Sequence, residues 1–135
     1  MSASVLVELD SRLDSGEVSV ALAAVWDALD LVAELCDRIA FDEGCDELQA
    51  MIAAQKCMEA RDLLPLPTSG ETATLSPAAP KPTGLAPYAR LLERVSETLT
   101  HLSAGCPPDA DPASLRRAAG LSAGAATATA RIREA

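Results

Sequence analysis

The sequence contains very few aromatic side chains. Only Trp26, Phe41 and Tyr88 occur among 135 residues, against nineteen Leu and twenty-seven Ala. The core is therefore expected to be aliphatic, and small Ala side chains allow helices to approach closely. Ala and Leu are strong helix formers, and the β-branched residues are too scattered to alternate along a strand. This composition predicts an all-α fold, and the chain length suits a single shared core.

Positive charge is also scarce, because 20 Asp and Glu outweigh 11 Lys and Arg to give a net charge of −9. Residues 1–64 hold fourteen acids and four bases, whereas residues 87–135 hold five acids and six bases. Neutralisation of phosphates dominates affinity for nucleic acids, so this balance argues against DNA, RNA and anionic membranes as partners. An acidic half is suited to a basic protein surface, or to the chain's own Arg-bearing second half.

Long apolar runs are missing as well. The first residues carry no basic region followed by an apolar segment, and no window reaches 18 uninterrupted apolar residues. We therefore expect no signal peptide, no transmembrane helix and a cytoplasmic location, where the four cysteines stay reduced. Nine Arg against two Lys, with no Asn, are typical of a GC-rich bacterial genome.

The longest stretch with one clear period is residues 18–41, which contains no Gly or Pro. Its apolar residues recur at steps of three and four, which predicts a helix. They are Leu22, Val25, Leu29, Val32, Cys36 and Ile39. Leu31 and Leu35 widen the apolar arc beyond half the circumference, so this central helix is expected to need neighbours on two sides.

The rest of the chain predicts a four-to-five-helix bundle built of two helical hairpins. Residues 1–64 form an acidic helical segment, with a short first helix ahead of the central helix and a third helix that ends near Leu64. Residues 65–86 contain five Pro and two Gly and are predicted to be a disordered linker. Residues 87–135 form a second helical hairpin that packs on the first segment, with a leucine stripe facing a small-residue helix.

The third helix has two possible buried faces. One carries the larger apolar residues Leu48, Met51, Ile52 and Met58. The other carries Ala50, Ala53, Ala54, Cys57 and Leu64. Periodicity alone does not choose between these faces.

Several short motifs resemble sites of chemistry but lack essential parts. Residues 120–124 match the G-x-S-x-G nucleophile elbow by letter, yet they lie in an Ala-rich helix and the single His101 comes earlier. The cysteines are at least nine residues apart, whereas structural zinc sites use closely spaced pairs. Glu97 with His101 lacks the second motif and the extra carboxylates of a di-iron bundle.

A calcium loop begun at Asp42 would need Gly at its sixth position and Glu at its twelfth, where Glu47 and Ala53 stand. The PxxP string at residues 77–80 is common by chance in Pro-rich linkers. We therefore expect no enzymatic activity, no metal and no cofactor.

One polar surface of the central helix suggests a function. It is an acidic stripe with a tryptophan at its border: Trp26, Asp27, Asp30, Glu34 and Asp37. Like charges four residues apart destabilise a helix slightly, and only Arg38 lies nearby to offset them. A basic protein partner would relieve this repulsion, as would the arginine set of this chain or of a second copy: Arg116, Arg117, Arg131 and Arg133.

These observations predict a small non-enzymatic interaction or regulatory protein that acts through its acidic helical face. It is expected to self-associate as a homo-oligomer, because the central helix has more apolar surface than one hairpin partner covers. The alternative is a bundle that binds a small apolar ligand between its hairpins, with Met51, Met58 and the small-residue helix as the lining.

Overall fold

The computed structural model describes residues 9–14, 17–39, 47–64, 86–105 and 111–132. Helix α1 comprises residues 9–13 of this part, and α2 spans Val18–Ile39. Helices α3, α4 and α5 span Glu47–Asp62, Ala86–Ala104 and Pro112–Arg131. No strand occurs within these ranges. The predicted all-α bundle of four to five helices is confirmed.

Helix α2 is the central element, and its neighbours within one copy cover it almost completely. Val25, Leu29, Val32, Leu35 and Cys36 are all fully buried. Helices α3 and α4 pack against it. Helices α3 and α4 of the same copy together bury the apolar arc of α2, so its expected need for neighbours on two sides is met among the described residues without a second copy.

Helix α3 buries its small-residue face between α2 and α5. The buried residues are Ala50, Ala53, Ala54, Cys57 and Ala60. Small side chains on this face let the helix axes come close. The larger apolar residues of α3 point outward as a result, with only Ile52 partly buried against the core.

Helices α4 and α5 pack along their length as the predicted second hairpin. The leucine stripe of α4 is buried: Tyr88, Leu91, Leu92, Val95, Leu99 and Leu102. The small-residue face of α5 is buried opposite it, from Leu115 to Thr129. The Ser96 hydroxyl of α4 donates a 2.9 Å hydrogen bond to the Ala119 carbonyl of α5. The side chain of Asp111 caps α5 by accepting from the Ser114 backbone amide, and Pro112 opens its first turn, as the sequence predicts.

The predicted linker lies almost wholly outside the described residues, which resume at Ala86 as α4 begins. One continuous core contains residues from both predicted helical segments. The predicted boundaries, with the acidic segment ending at residue 64 and the second hairpin beginning at residue 87, stay predictions. None of the described helices combines the length and the apolar character needed to cross a bilayer.

Candidate protein-interaction surface

The predicted acidic stripe divides into a buried part and an exposed part. Asp27 is only 1% exposed. Arg12 of α1 donates a 3.1 Å hydrogen bond to its Oδ2 atom. Asp27 therefore belongs to the interior of the bundle, where it ties α1 to α2, and it is not available to a partner.

Asp30 is half-buried and also pairs within the chain. Arg61 of α3 donates a 2.6 Å hydrogen bond to Asp30 Oδ1. The same guanidinium lies 5.4 Å from the centre of the Trp26 ring, a distance at which cation–π attraction operates. Trp26 and Asp30 together therefore attach α3 to α2.

Glu34 and Asp37 complete the stripe, and both are exposed. Neither makes an ion pair or a side-chain hydrogen bond with any residue that the structure describes. Of the five predicted partner-binding residues, these two present carboxylates to solvent that form no ion pair with another described residue.

Several acids of residues 1–64 form ion pairs with arginines that the sequence did not indicate as their partners. Arg12 pairs with Asp27 and Arg61 with Asp30, while Arg94 of α4 pairs with Asp10 and Asp14. The acidic segment therefore does contact one arginine of the second half. The predicted set in α5 has no such role within the described residues: Arg116, Arg117 and Arg131 are exposed there, and Arg133 lies outside them.

A second exposed feature lies on the outer side of α3. Leu48, Met51 and Met58 are 66%, 56% and 42% exposed, and they are the large apolar side chains that the described part leaves open to solvent. The expectation that Met51 and Met58 lie between the hairpins is wrong, because the opposite, alanine-lined side of α3 makes the internal contacts. Binding of a small apolar ligand between the hairpins stays a prediction, but Met51 and Met58 do not line that site.

The exposed acids and the exposed methionines lie toward the same end of the α2–α3 hairpin. The two helices are joined by only residues 40–46, so they run antiparallel, and the Arg61–Asp30 pair fixes their register. One turn before Arg61 on the same side of α3 is Met58, and one turn after Asp30 on α2 is Glu34. We call the set Glu34, Asp37, Leu48, Met51 and Met58 the outer surface.

The two described cysteines, Cys36 and Cys57, are buried free thiols on α2 and α3. Burial raises the pKa of Cys57 well above its usual range, and the neighbouring Cys36 raises it further. The sequence did not indicate that these thiols are neighbours. A raised pKa keeps the Cys57 thiol protonated, which makes it a poor nucleophile. Cys45 and Cys106 lie outside the described residues.

The remaining motifs can be located only in part. The Ser122 hydroxyl is buried inside α5 and donates a 2.8 Å hydrogen bond to the Ala118 carbonyl, so it is held by its own helix. Glu97 and His101 are exposed on α4. Within the described ranges, no three His, Cys, Asp or Glu residues are grouped as a metal ion requires. The first five residues of the calcium loop begun at Asp42 lie outside those ranges, and the other seven form the start of α3. The PxxP string lies wholly outside them.

Comparison with known proteins finds no matching family model, no matching curated protein and no matching solved structure. The internal contacts of the bundle do not account for the exposed acids and the exposed apolar side chains of the outer surface.

Proposed function

We propose that this chain is a small, non-enzymatic interaction protein of the bacterial cytoplasm whose outer surface binds a basic protein partner. One observation carries the proposal. Glu34 and Asp37 stay exposed and unpaired among the described residues, although Asp27 and Asp30 of the same stripe are both paired within the chain.

The charge balance of the N-terminal segment supports a basic partner. Residues 1–64 hold only four bases, and Arg12 and Arg61 are already engaged by internal acids. Each like-charge pair one turn apart costs a helix roughly 0.2–0.5 kcal/mol. A partner that brings positive charge to Glu34 and Asp37 removes this repulsion, and long-range attraction also accelerates its encounter with the surface.

A second candidate partner for the outer surface is another copy of this chain. Arg116, Arg117 and Arg131 are exposed on α5 and make no ion pair with another described residue, so they offer a basic face to a second copy. Against it stand the net charge of −9 on each copy and the nearly complete covering of α2 within one copy. We therefore place a different, basic protein first and a homo-oligomer second.

The charge proposal is tested with an oligolysine peptide, which offers positive charge and no apolar side chain. We expect binding at an ionic strength of about 0.01 M that weakens strongly at about 0.15 M, because the screening length falls from about 30 Å to about 8 Å. The Glu34→Lys/Asp37→Lys variant is expected to bind about tenfold more weakly at low salt, since it reverses both exposed charges.

A charge-matched control separates this surface from the overall negative charge of the chain. The Glu93→Lys/Glu97→Lys variant makes the same charge change at two exposed acids of α4. It is expected to keep most of the oligolysine affinity. Equal loss in both double variants would show that only net charge matters, and the proposed site would then be wrong. Light scattering over a range of concentrations tests the homo-oligomer.

A further inference from the structure

We infer that the outer surface accepts a basic amphipathic α-helix of another protein, with its apolar side against Leu48, Met51 and Met58. This inference rests on the proposed function, because the acids of the surface set the charge of the partner. It adds the shape of the partner, which charge alone does not give.

The apolar part of the argument begins with the inverted packing of α3. A helix at the surface of a bundle usually buries its largest apolar side chains. Helix α3 instead buries four alanines and a cysteine, while Leu48, Met51 and Met58 remain exposed. The bundle already has a continuous core without these three side chains. Burial of the alanine-lined side of α3 leaves these three side chains at the surface, where no described helix covers them.

The spacing of the three residues matches a helical partner. Residues 48, 51 and 58 share one side of α3, with Gln55 between them, and the stripe is about 15 Å long at 1.5 Å per residue. About three turns of a partner helix cover that length with apolar residues at i, i+3 or i+4, and i+7. A helix satisfies its own backbone hydrogen bonds, whereas an extended segment would need a sheet edge, which the surface of α3 does not offer.

Methionine suits such a contact because its side chain is unbranched and flexible. Met51 and Met58 can adjust to the side chains of different helices without a change in the backbone of α3. Leu48 supplies the stiffer apolar contact at the end of the stripe that lies nearest the start of α3. The surface therefore selects for an apolar stripe rather than for one particular sequence.

Exposed acidic residues lie on both helices of the α2–α3 hairpin, which sets the charge of the occupant. Glu34 and Asp37 lie on α2, and Glu59 and Asp62 are exposed on α3 itself. A partner helix with Lys or Arg beside its apolar face meets these acids favourably. The α3 of a second copy would bring acids against acids, and an anionic membrane would be repelled in the same way.

The experiment uses the full chain and two fluorescently labelled peptides of identical Leu and Lys composition. In one, the leucines recur at helical spacing; in the other, the order is scrambled so that no apolar face forms. Fluorescence anisotropy measures both affinities, and circular dichroism follows helix formation by the peptide. We expect the amphipathic peptide to bind at least about tenfold more tightly and to become helical on binding.

Variants locate the contact on α3. The Leu48→Gln/Met51→Gln/Met58→Gln variant is expected to lose the advantage of the amphipathic peptide and to keep its affinity for the scrambled one. The single variants Met51→Gln and Met58→Gln each give part of that loss, so the test does not depend on how well the triple variant folds. The Ala123→Gln/Thr127→Gln variant, altered at two exposed positions of α5, is the matched control.

The results separate the inference of a helical partner from the proposal of a basic partner, on which it rests. Equal affinity for the two peptides overturns the helical partner and leaves the charge proposal standing. Binding of neither peptide overturns both. A retained advantage in the triple Gln variant shows that the apolar contact lies elsewhere. Binding to vesicles of anionic phospholipid in preference to both peptides would assign the surface to membranes and overturn the inference.

Discussion

Arg61 of α3 donates a 2.6 Å hydrogen bond to Asp30 of α2 while its guanidinium lies 5.4 Å from the centre of the Trp26 ring. This contact joins two of the predicted partner-binding residues to each other and to the neighbouring helix. The Arg61 and Asp30 side chains are 24% and 30% exposed, so the pair is partly screened by solvent. The acidic face is therefore also part of what positions α3.

Replacing Arg61 tests how much this contact stabilises the bundle. Arg61→Ala removes the ion pair and the cation–π contact together, so we expect a loss of about 1 kcal/mol in the free energy of unfolding. Urea denaturation measures it. Because Trp26 is the single tryptophan, its emission in the folded state should change as well. Arg90→Ala, at an exposed position of α4, is the control and should be nearly neutral. Equal effects of the two variants would contradict the assigned role.

Replacing Arg12 should destabilise the protein more than replacing Arg61. Asp27 is 1% exposed, so Arg12→Ala removes the cation beside a carboxylate that water barely reaches. We expect a loss of about 1–3 kcal/mol. Adding Asp27→Asn removes the buried charge and should recover part of that loss in the Arg12→Ala/Asp27→Asn variant. A double variant as unstable as the sum of the two single ones would show that the charges do not interact.

The raised pKa of Cys57 predicts a loss of stability at alkaline pH. The folded state holds the thiol proton well above the usual value of 9.0, so the unfolded chain releases its proton first. The stabilisation is fully present below pH 9.0 and is lost as the pH rises above it, by about 1.4 kcal/mol for each pH unit. Denaturation curves of the wild type and of Cys57→Ala between pH 8 and about 10.5 measure this difference. Parallel pH profiles would refute it.

The two glycines of α5 should respond differently to alanine. No atom lies within 4 Å of a Cβ added at Gly120, so Gly120→Ala should gain most of the helix-propensity difference, about 1 kcal/mol. A Cβ at Gly124 would lie 3.2 Å from the Lys56 Cδ atom, so Gly124→Ala must displace that side chain and should gain less. Thermal unfolding compares the two variants. A larger gain at Gly124 would contradict the packing described for Lys56.

The helices were predictable wherever one face was plainly more apolar than the other. The leucine stripe of α4 and the period of α2 leave a single choice of buried side, and the structure buries those sides. Helix α3 offered two faces, and no local rule favours alanines over Leu48 and Met51. That choice depends on how closely α2 and α5 approach, which is a property of the assembled bundle.

The candidate surface was predictable only in part, because its charges are compensated over long sequence distances. Arg12 and Arg61 lie 15 and 31 residues from the aspartates that they bind. One signal could have located Arg61. An antiparallel hairpin that turns near residue 44 places Cys57 beside Asp30, and Arg61 lies one turn beyond Cys57. Exposed apolar surface was expected on α2. It lies on α3 instead, because alanines rather than larger residues make the internal contacts of α3.

The alanine-lined inner side of α3 also affects where conformational freedom is lost. Alanine has no side-chain rotamers to restrict, so docking α3 onto its neighbours costs little side-chain entropy, whereas immobilising a Met costs roughly 1.5–2 kcal/mol. Leu48, Met51 and Met58 keep much of their rotamer freedom in the folded chain because they are exposed. That freedom is lost only when something covers them, so the entropic cost of ordering these side chains falls on association and not on folding.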